Sequence, residues 1–231
     1  MYNNYMIENV FILIPVYNEE LKIKEVVNSL QPHFRNIVVV NDGSEDSTQE
    51  ILDTLNVISI KHLLNLGQGA AISSGLNLIK NFDKAEGVVT FDADGQHSVK
   101  DAINFANEII SCDEDIIFGS RFIEHQLNVP PLKRLVLNIV TFVTNKITRM
   151  KLTDTHNGLK AYKSRCLKFI NIDIDGFAFE SQIIKLISKS NLAYKEMSTN
   201  TIYTEYSKNK GQKLRNGLIV LEDIFKSTKT K

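Results

Sequence analysis

The sequence has little of what marks a secreted, membrane-spanning or nucleic-acid-binding chain. Only two cysteines occur in 231 residues, Cys112 and Cys166. They stand far apart and without metal-ligand spacing, so two reduced thiols in a cytoplasm are expected. Lysine plus arginine equals aspartate plus glutamate, 27 of each, so no net field draws the chain to nucleic acid. No run of about 18 apolar residues is present, which argues against a spanning helix. The N-terminus lacks the basic region and apolar core of a signal peptide. Internal repeats, low-complexity linkers and clear domain boundaries are missing too. What remains is ordinary for a soluble globular enzyme, with 43% hydrophobic and 23% charged residues. One large domain over residues 1–231 is the expectation.

Along the chain, apolar runs alternate with helix-period segments. Met1 to Asn9 reads as polar and frayed. Val10–Val16 is a short continuous apolar run, the pattern of a strand buried on both faces. Ile23, Val26, Val27 and Leu30 then fit a 3.6-residue period. Asn36–Val40 is a second strand, closed by the turn Asn41-Asp42-Gly43-Ser44. Ser47 or Asp46 can cap a helix carrying Ile51, Leu52 and Leu55. A third strand covers Val57–Ile60, a helix runs from the Asn65–Ala71 stretch to about Phe82, and a fourth strand covers Gly87–Phe91. This alternation predicts an α/β fold with a doubly wound, mostly parallel sheet and helices on both faces. Right-handed crossovers then bring Tyr17–Glu19, Asp42 and Asp92–Asp94 to one edge.

The second half is less regular. Asp101–Ile110 is helical by period, Asp115–Arg121 is strand-like, and Leu159–Tyr162 is a further strand before a helix near Phe179. Residues 132–150 read as one long amphipathic helix with basic residues at both ends. A membrane surface, the domain core or a second copy of the chain in a homodimer would each cover its apolar side. The tail, 201–231, carries a basic loop (Lys208, Lys210, Lys213) and an apolar helix near Leu214–Phe225.

The chemistry centres on Gly87–Ser98 (GVVTFDADGQHS), where a buried strand ends in Asp92 and Asp94. Ligands of open α/β sheets sit beyond the carboxyl ends of strands. Two hard oxygen donors there suit Mg²⁺ or Mn²⁺ on a substrate's phosphates. Asp113/Asp115 and Asp173/Asp175 repeat the spacing, but they flank helix-like or irregular segments and read as solvated surface. Gln96 and His97 stand close enough to complete a metal shell or contact a phosphate. Asp42 can accept hydrogen bonds from a base or a ribose, or serve the turn alone. Gly67-Gln68-Gly69-Ala70-Ala71 fits a dinucleotide fingerprint poorly, since Ile72 replaces its third small residue. Instead it reads as a helix start that presents backbone N–H groups, Gly69 among them, to a pyrophosphate, or as close helix–strand packing. Arg121 at a strand end can meet phosphate as a planar fork. Asp154 lies in a polar loop that can carry a base. Glu180 sits among Phe177, Phe179 and Ile183, where a raised pKa is expected. The basic-loop lysines are a solvated surface or an anion clamp.

Taken in order, IPVYNEE, VVVNDGSEDST, NLGQGAA, FDADGQH, GSRF and DTHNGLKAY resemble family 2 glycosyltransferases of the Rossmann-like GT-A fold. The closest resemblance is to the branch of dolichyl-phosphate mannosyltransferases and bacterial polyprenyl-phosphate glycosyltransferases, over roughly residues 10 to 210. The resemblance implies an inverting, metal-dependent transfer from a nucleotide-sugar (a UDP-, GDP- or dTDP-sugar) to a lipid phosphate or a glycan. By position, Pro15, Tyr17, Glu19 and Asp42 would hold the nucleoside. Asp92, Asp94 and Gln96 would hold Mg²⁺ or Mn²⁺ on the diphosphate, with Gly69 and Lys208 near the donor. Arg121 would meet phosphate charge, and Asp154 would lie near the acceptor. A hydroxyl acceptor needs a base, Asp154 first and Glu180 second; an ionised lipid phosphate does not. Where relatives carry a lysine in the glycine-rich loop, this chain has Gln68. Larger members of the branch carry transmembrane helices after the catalytic domain, and none is expected here. A cytoplasmic protein, peripheral at the inner face of the cell membrane and building a lipid-linked or surface glycan, is therefore expected. A nucleotidyltransferase or a non-catalytic nucleotide-sugar-binding protein is the alternative.

Overall fold

A single central strand sorts the two cores of the protein. In the computed structural model, which describes residues 6–123, 131–172 and 179–200, strand β1 spans Ile7–Val16 and is buried from Val10 onward. Its even-numbered residues Val10, Ile12, Ile14 and Val16 face one core, and Phe11 and Leu13 face the other. A strand covered on both faces needs a continuous apolar run, because neither side meets water. The strand begins three residues earlier than the apolar run does. Ile7 donates its backbone N–H to His33 O at 2.8 Å, so the segment before Val10 is paired rather than frayed from Ile7 on.

The helices and strands then follow in alternation. Helix α1 is Ile23–Leu30, β2 Phe34–Asn41, α2 Thr48–Leu52, β3 Ile58–Lys61, α3 Gln68–Ile79 and β4 Gly87–Thr90. They continue with α4 Val99–Ser111, β5 Ile116–Ser120, α5 Pro131–Thr148, β6 Lys160–Lys163, a 3₁₀ turn Ser164–Phe169, α6 Phe179–Lys189 and β7 Tyr194–Ser198. Helices α1, α2 and α4 pack on the Val10–Val16 face through Val26, Val27, Leu52, Phe105 and Ile109. Helices α3 and α6 cover the opposite face through Ile72, Leu76, Ile79, Ile183 and Ile187.

Among the described residues, seven strands form one sheet in the order β3-β2-β1-β4-β6-β5-β7. All run parallel except β6, which is antiparallel to both of its neighbours. The parallel strands end together: Val16 pairs with Asn41, and Asn41 with Lys61. Because β6 runs the other way, it starts where β4 ends, with Lys160 opposite Thr90. The loop feeding β6 therefore lies at the same edge as Asp92.

Strand β7 (YKEMS) was not anticipated, because its residues are all half-buried and show neither an apolar run nor a clean alternation. Asp115 is not solvated: it is buried and accepts hydrogen bonds from Arg165 Nε at 2.6 Å and from the Ala193 backbone at 3.0 Å. Asp113, two residues away, is exposed, so equal spacing hides unlike roles. Asp173/Asp175, Phe177 and the tail with Lys208, Lys210 and Lys213 lie outside the described residues. Cys112 and Cys166 are both free thiols. Among the described residues no helix is long and apolar enough to cross a membrane.

Asp115→Ala removes a buried carboxylate that accepts from both Arg165 and the Ala193 backbone, and is expected to cost about 1–3 kcal/mol in urea unfolding. Asp113→Ala should stay within about 0.5 kcal/mol of the parent.

Candidate active site

Loops at the carboxyl edge of the sheet hold one another side by side. Asn18, in the left-handed region at φ 52°, donates its backbone N–H to Ser44 Oγ at 2.9 Å, and its Oδ1 accepts from Glu45 N. Glu19 N donates to Thr48 Oγ1 at 3.0 Å. Pro15 is buried inside β1, whereas Tyr17 is exposed. The turn after β2 meets the loop after β3 at Gly43, where a Cβ would sit 2.5 Å from the Leu64 carbonyl carbon. Gly43 also has φ +70°, so glycine is required on both counts.

Asp42 is buried and engaged within the protein. Its Oδ1 lies 2.7 Å from His62 Nδ1 and 3.0 Å from Leu66 N, and its Oδ2 accepts from Gly67 N at 2.7 Å. The carboxylate thus fixes the loop that leads into α3. Gly69 is buried in the first turn of that helix. Gln68 opens α3 and points its amide at Asp92 Oδ1, 3.4 Å away.

Asp92 and Asp94 project beyond β4. Asp92 Oδ2 accepts from His97 Nε2 at 2.8 Å, and the His97 ring packs edge-on against Phe91. Asp94 is braced by Gln96, whose backbone N–H and side-chain amide both donate to it. Gly158 lies against Asp92 so closely that a Cβ there would sit 2.2 Å from Oδ2. Burial pushes the Asp92 carboxyl up, but His97, Lys160 and Arg121 together bring it below the usual carboxylate value. Asp94 goes the other way, raised by burial and by the charge of Asp92.

Two buried ion pairs stand behind this edge. Arg121 Nε and Nη2 donate to Asp154 Oδ2 and Oδ1 at 2.6 and 2.9 Å, and Nη2 also donates to His156 O at 2.8 Å. Burial alone would raise Asp154; the Arg121 guanidinium outweighs it and holds the carboxyl low. Lys160, buried in β6, pairs with Glu180 in the first turn of α6 and donates to Asn157 O. Burial leaves the Glu180 carboxyl raised despite that pairing.

Among the described residues, no three His, Cys, Asp or Glu side chains gather as a metal cluster. The two carboxylates Asp92 and Asp94 are nevertheless a fit for Mg²⁺ or Mn²⁺. Such ions are commonly held by one or two carboxylates plus substrate phosphates. Asp94 is raised by burial first and by the charge of Asp92 second, and a cation there would favour the ionised carboxylate against both. Gln96 braces Asp94 through its amide nitrogen in this arrangement.

Residues that sequence reasoning did not single out include His62, Lys160 and His156. Lys160 had a signal: a charged residue within the otherwise apolar strand Leu159–Tyr162. His62 had none, since it stands 20 residues from Asp42. His156 was read only as part of a polar loop. Its Nδ1 meets Thr155 Oγ1 at 3.0 Å, its Nε2 is buried with no hydrogen-bond partner among the described residues, and burial pushes its pKa down to about 4.

The family described as Glycosyl transferase family 2 matches residues 11–170. An uncharacterized protein of Methanocaldococcus jannaschii is 35% identical, over 93% of this chain and 90% of its own. A UDP-N-acetylglucosamine–dolichyl-phosphate N-acetylglucosaminyltransferase of Methanococcus voltae is 34% identical, over 87% of this chain and 89% of its own. In structure, the chain resembles glucosyl-3-phosphoglycerate synthase of Mycobacterium tuberculosis, solved with Mn²⁺, UDP and phosphoglyceric acid. The TM-score is 0.67 at 14% identity, covering 92% of this chain and 76% of that one, and it shows the shared fold.

The depressed His156 carries a pH signature. Its folded value of about 4 lies below the ordinary 6.5, so the unfolded chain binds more protons between the two. Stability should therefore rise with pH through that window and be lost as pH falls through it, by up to about 3 kcal/mol for this group. His156→Asn should flatten that slope in denaturant titrations between pH 7 and pH 4.

Proposed function

The chain belongs to glycosyl transferase family 2 and is a glycosyltransferase, and from that premise we propose that it moves a sugar from a nucleotide diphosphate to a polyprenyl phosphate with inversion, in a metal-dependent reaction. The observation that carries the reading is the carboxylate pair Asp92–Asp94 at the end of β4, braced by His97, Gln96 and Gly158. The M. voltae relative, whose name gives a UDP-sugar donor and a dolichyl-phosphate acceptor, supports the substrate classes.

In this reading the nucleoside lies across the loops after β1 and β2, beside Pro15, Tyr17, Glu19 and Asp42, and its diphosphate reaches past Gly69 to Asp92 and Asp94. Lys208 remains a proposed donor contact. A bound Mg²⁺ or Mn²⁺ would neutralise the charge that grows on the departing diphosphate. The acceptor oxygen attacks the anomeric carbon from the opposite side, and the sugar–phosphate bond breaks with its electron pair leaving on the diphosphate. An ionised phosphate acceptor needs no residue to take a proton. The carboxylates are consistent with that. Asp154 has both oxygens on Arg121 and a lowered pKa, which makes it a poor base and suits it to hold Arg121. Arg121 in turn has its fork on Asp154 rather than turned out to a phosphate, so its charge acts through space. Glu180 is tied to Lys160, whose charge, with those of His97 and Arg121, lowers the Asp92 carboxyl.

Helix α5 supports a peripheral position on the cytoplasmic face of a membrane. Leu132, Leu135, Ile139 and Phe142 are exposed at helical spacing, while Val140, Thr141 and Thr144 face inward. The helix contains no acidic residue but has Lys133, Arg134 and Lys146. Two such helices set antiparallel would bring like charges together, whereas an anionic lipid surface complements them. Arg134 also lies over the Phe122 ring, 5.8 Å from its centroid, which ties the start of the stripe to the segment just after Arg121.

Thermal melts with UDP-, GDP- and dTDP-sugars, with and without Mn²⁺, test the donor. One donor at about 100 times its Kd should add about 2.7 kcal/mol, or on the order of 5–10 °C, only with metal. Asp94→Asn should abolish the shift; an unchanged shift in that variant would count against the metal site. Flotation with phosphatidylglycerol-containing vesicles tests the lipid surface. The parent should co-float, and Leu135→Glu with Phe142→Glu should not, with the melting temperature of both proteins alike.

A further inference from the structure

We propose that His62 is a positioning residue for donor binding, acting through Asp42. This rests on the donor reading above. Asp42 stands at the end of β2, where the nucleoside is placed, yet its carboxylate is largely occupied by the protein itself. A carboxylate offers about four lone-pair directions. Three are taken here: His62 Nδ1 and Leu66 N on Oδ1, and Gly67 N on Oδ2. The fourth, on Oδ2, is left among the described residues to accept one N–H or O–H from a nucleoside.

What aims that last acceptor is the imidazole behind it. His62 has a side chain only 10% exposed, and its second nitrogen, Nε2, lies 2.9 Å from Ser74 Oγ on α3. A carboxylate only accepts, so Nδ1 carries a proton toward Asp42 in either charge state of the ring. In the neutral ring Ser74 donates to Nε2; in the cation Nε2 donates to Ser74. The contact with Asp42 therefore holds the carboxylate in position, and Ser74 holds the ring from its other side. The clasp reaches further through α3. Gly67, held by Asp42, immediately precedes Gln68, whose amide faces Asp92. One histidine thus links the nucleoside end of the site to its diphosphate end, by fixing both the Asp42 carboxylate and the helix start between them.

The two amide replacements of histidine separate this role from simple packing. In His62→Asn the side-chain nitrogen stands near the position of Nδ1 and keeps a donor on Asp42. In His62→Gln the amide reaches toward Ser74 and the donor on Asp42 is lost. UDP, GDP and dTDP are titrated calorimetrically in Mn²⁺ into the parent, both variants and Ser74→Ala, with melting temperatures recorded alongside. For the diphosphate that binds the parent, Kd should rise at least tenfold in His62→Gln, about threefold in Ser74→Ala, and stay within threefold in His62→Asn. Equal affinities in the asparagine and glutamine variants, whether both weakened or both unchanged, would overturn the positioning role. If His62→Gln does not fold, Ser74→Ala decides, and an unchanged Kd there overturns it. A parent that binds none of the three diphosphates would instead overturn the donor reading beneath it.

Discussion

The antiparallel pairing of β6 with β4 is the constraint on which the rest of the site depends. Four residue pairs, from Gly87–Lys163 to Thr90–Lys160, place the start of β6 beside the end of β4. Thr90 Oγ1 seals that corner, donating to Gly158 O at 2.6 Å and accepting from Lys160 N at 3.1 Å. The loop before β6 then delivers Gly158 against Asp92 and Asp154 onto Arg121, and the first residue of β6, Lys160, pairs with Glu180. In an all-parallel sheet that loop would lie at the far edge, and none of these contacts would form.

Charge is managed at this corner by pairing rather than by exposure. Asp154 with Arg121, Glu180 with Lys160 and Asp92 with His97 each place a carboxylate against a cation or a ring N–H. Removing one partner of a buried pair leaves an uncompensated charge, typically a loss of 3–5 kcal/mol. Asp94 is the exception, a carboxylate whose neighbours include Asp92 and whose braces are the backbone and amide of Gln96. Burial and the charge of Asp92 both raise that carboxyl, and it lies in the loop beyond β4 where a divalent cation with its phosphates is proposed to sit.

Much of this was legible in the chain before folding. The apolar runs of β1, β2, β4 and β5 announce strands buried on both faces, and the 3.6-residue period of α1 and α4 announces the helices over them. Asp42 and Asp92–Asp94 follow such strands directly, so their common edge follows from right-handed crossovers alone. Strand β7 was silent because a half-buried edge strand has no need of an apolar run. Asp115 was misjudged because a two-residue spacing says nothing about which carboxylate meets Arg165 and the Ala193 backbone.

The sequence by itself determined the fold class, the family and the positions of the carboxylates, because strand burial and the order of the motifs are local properties of the chain. Tertiary structure alone decided what those carboxylates do with their oxygens. Asp42 clasps His62 and the loop before α3, and Asp154 is tied to Arg121, across separations of 20 to 33 residues. No spacing rule encodes such partners. They are set by strand order and direction, which determine the loops that meet at the edge and so whether a carboxylate faces a cation, a backbone N–H or open solvent.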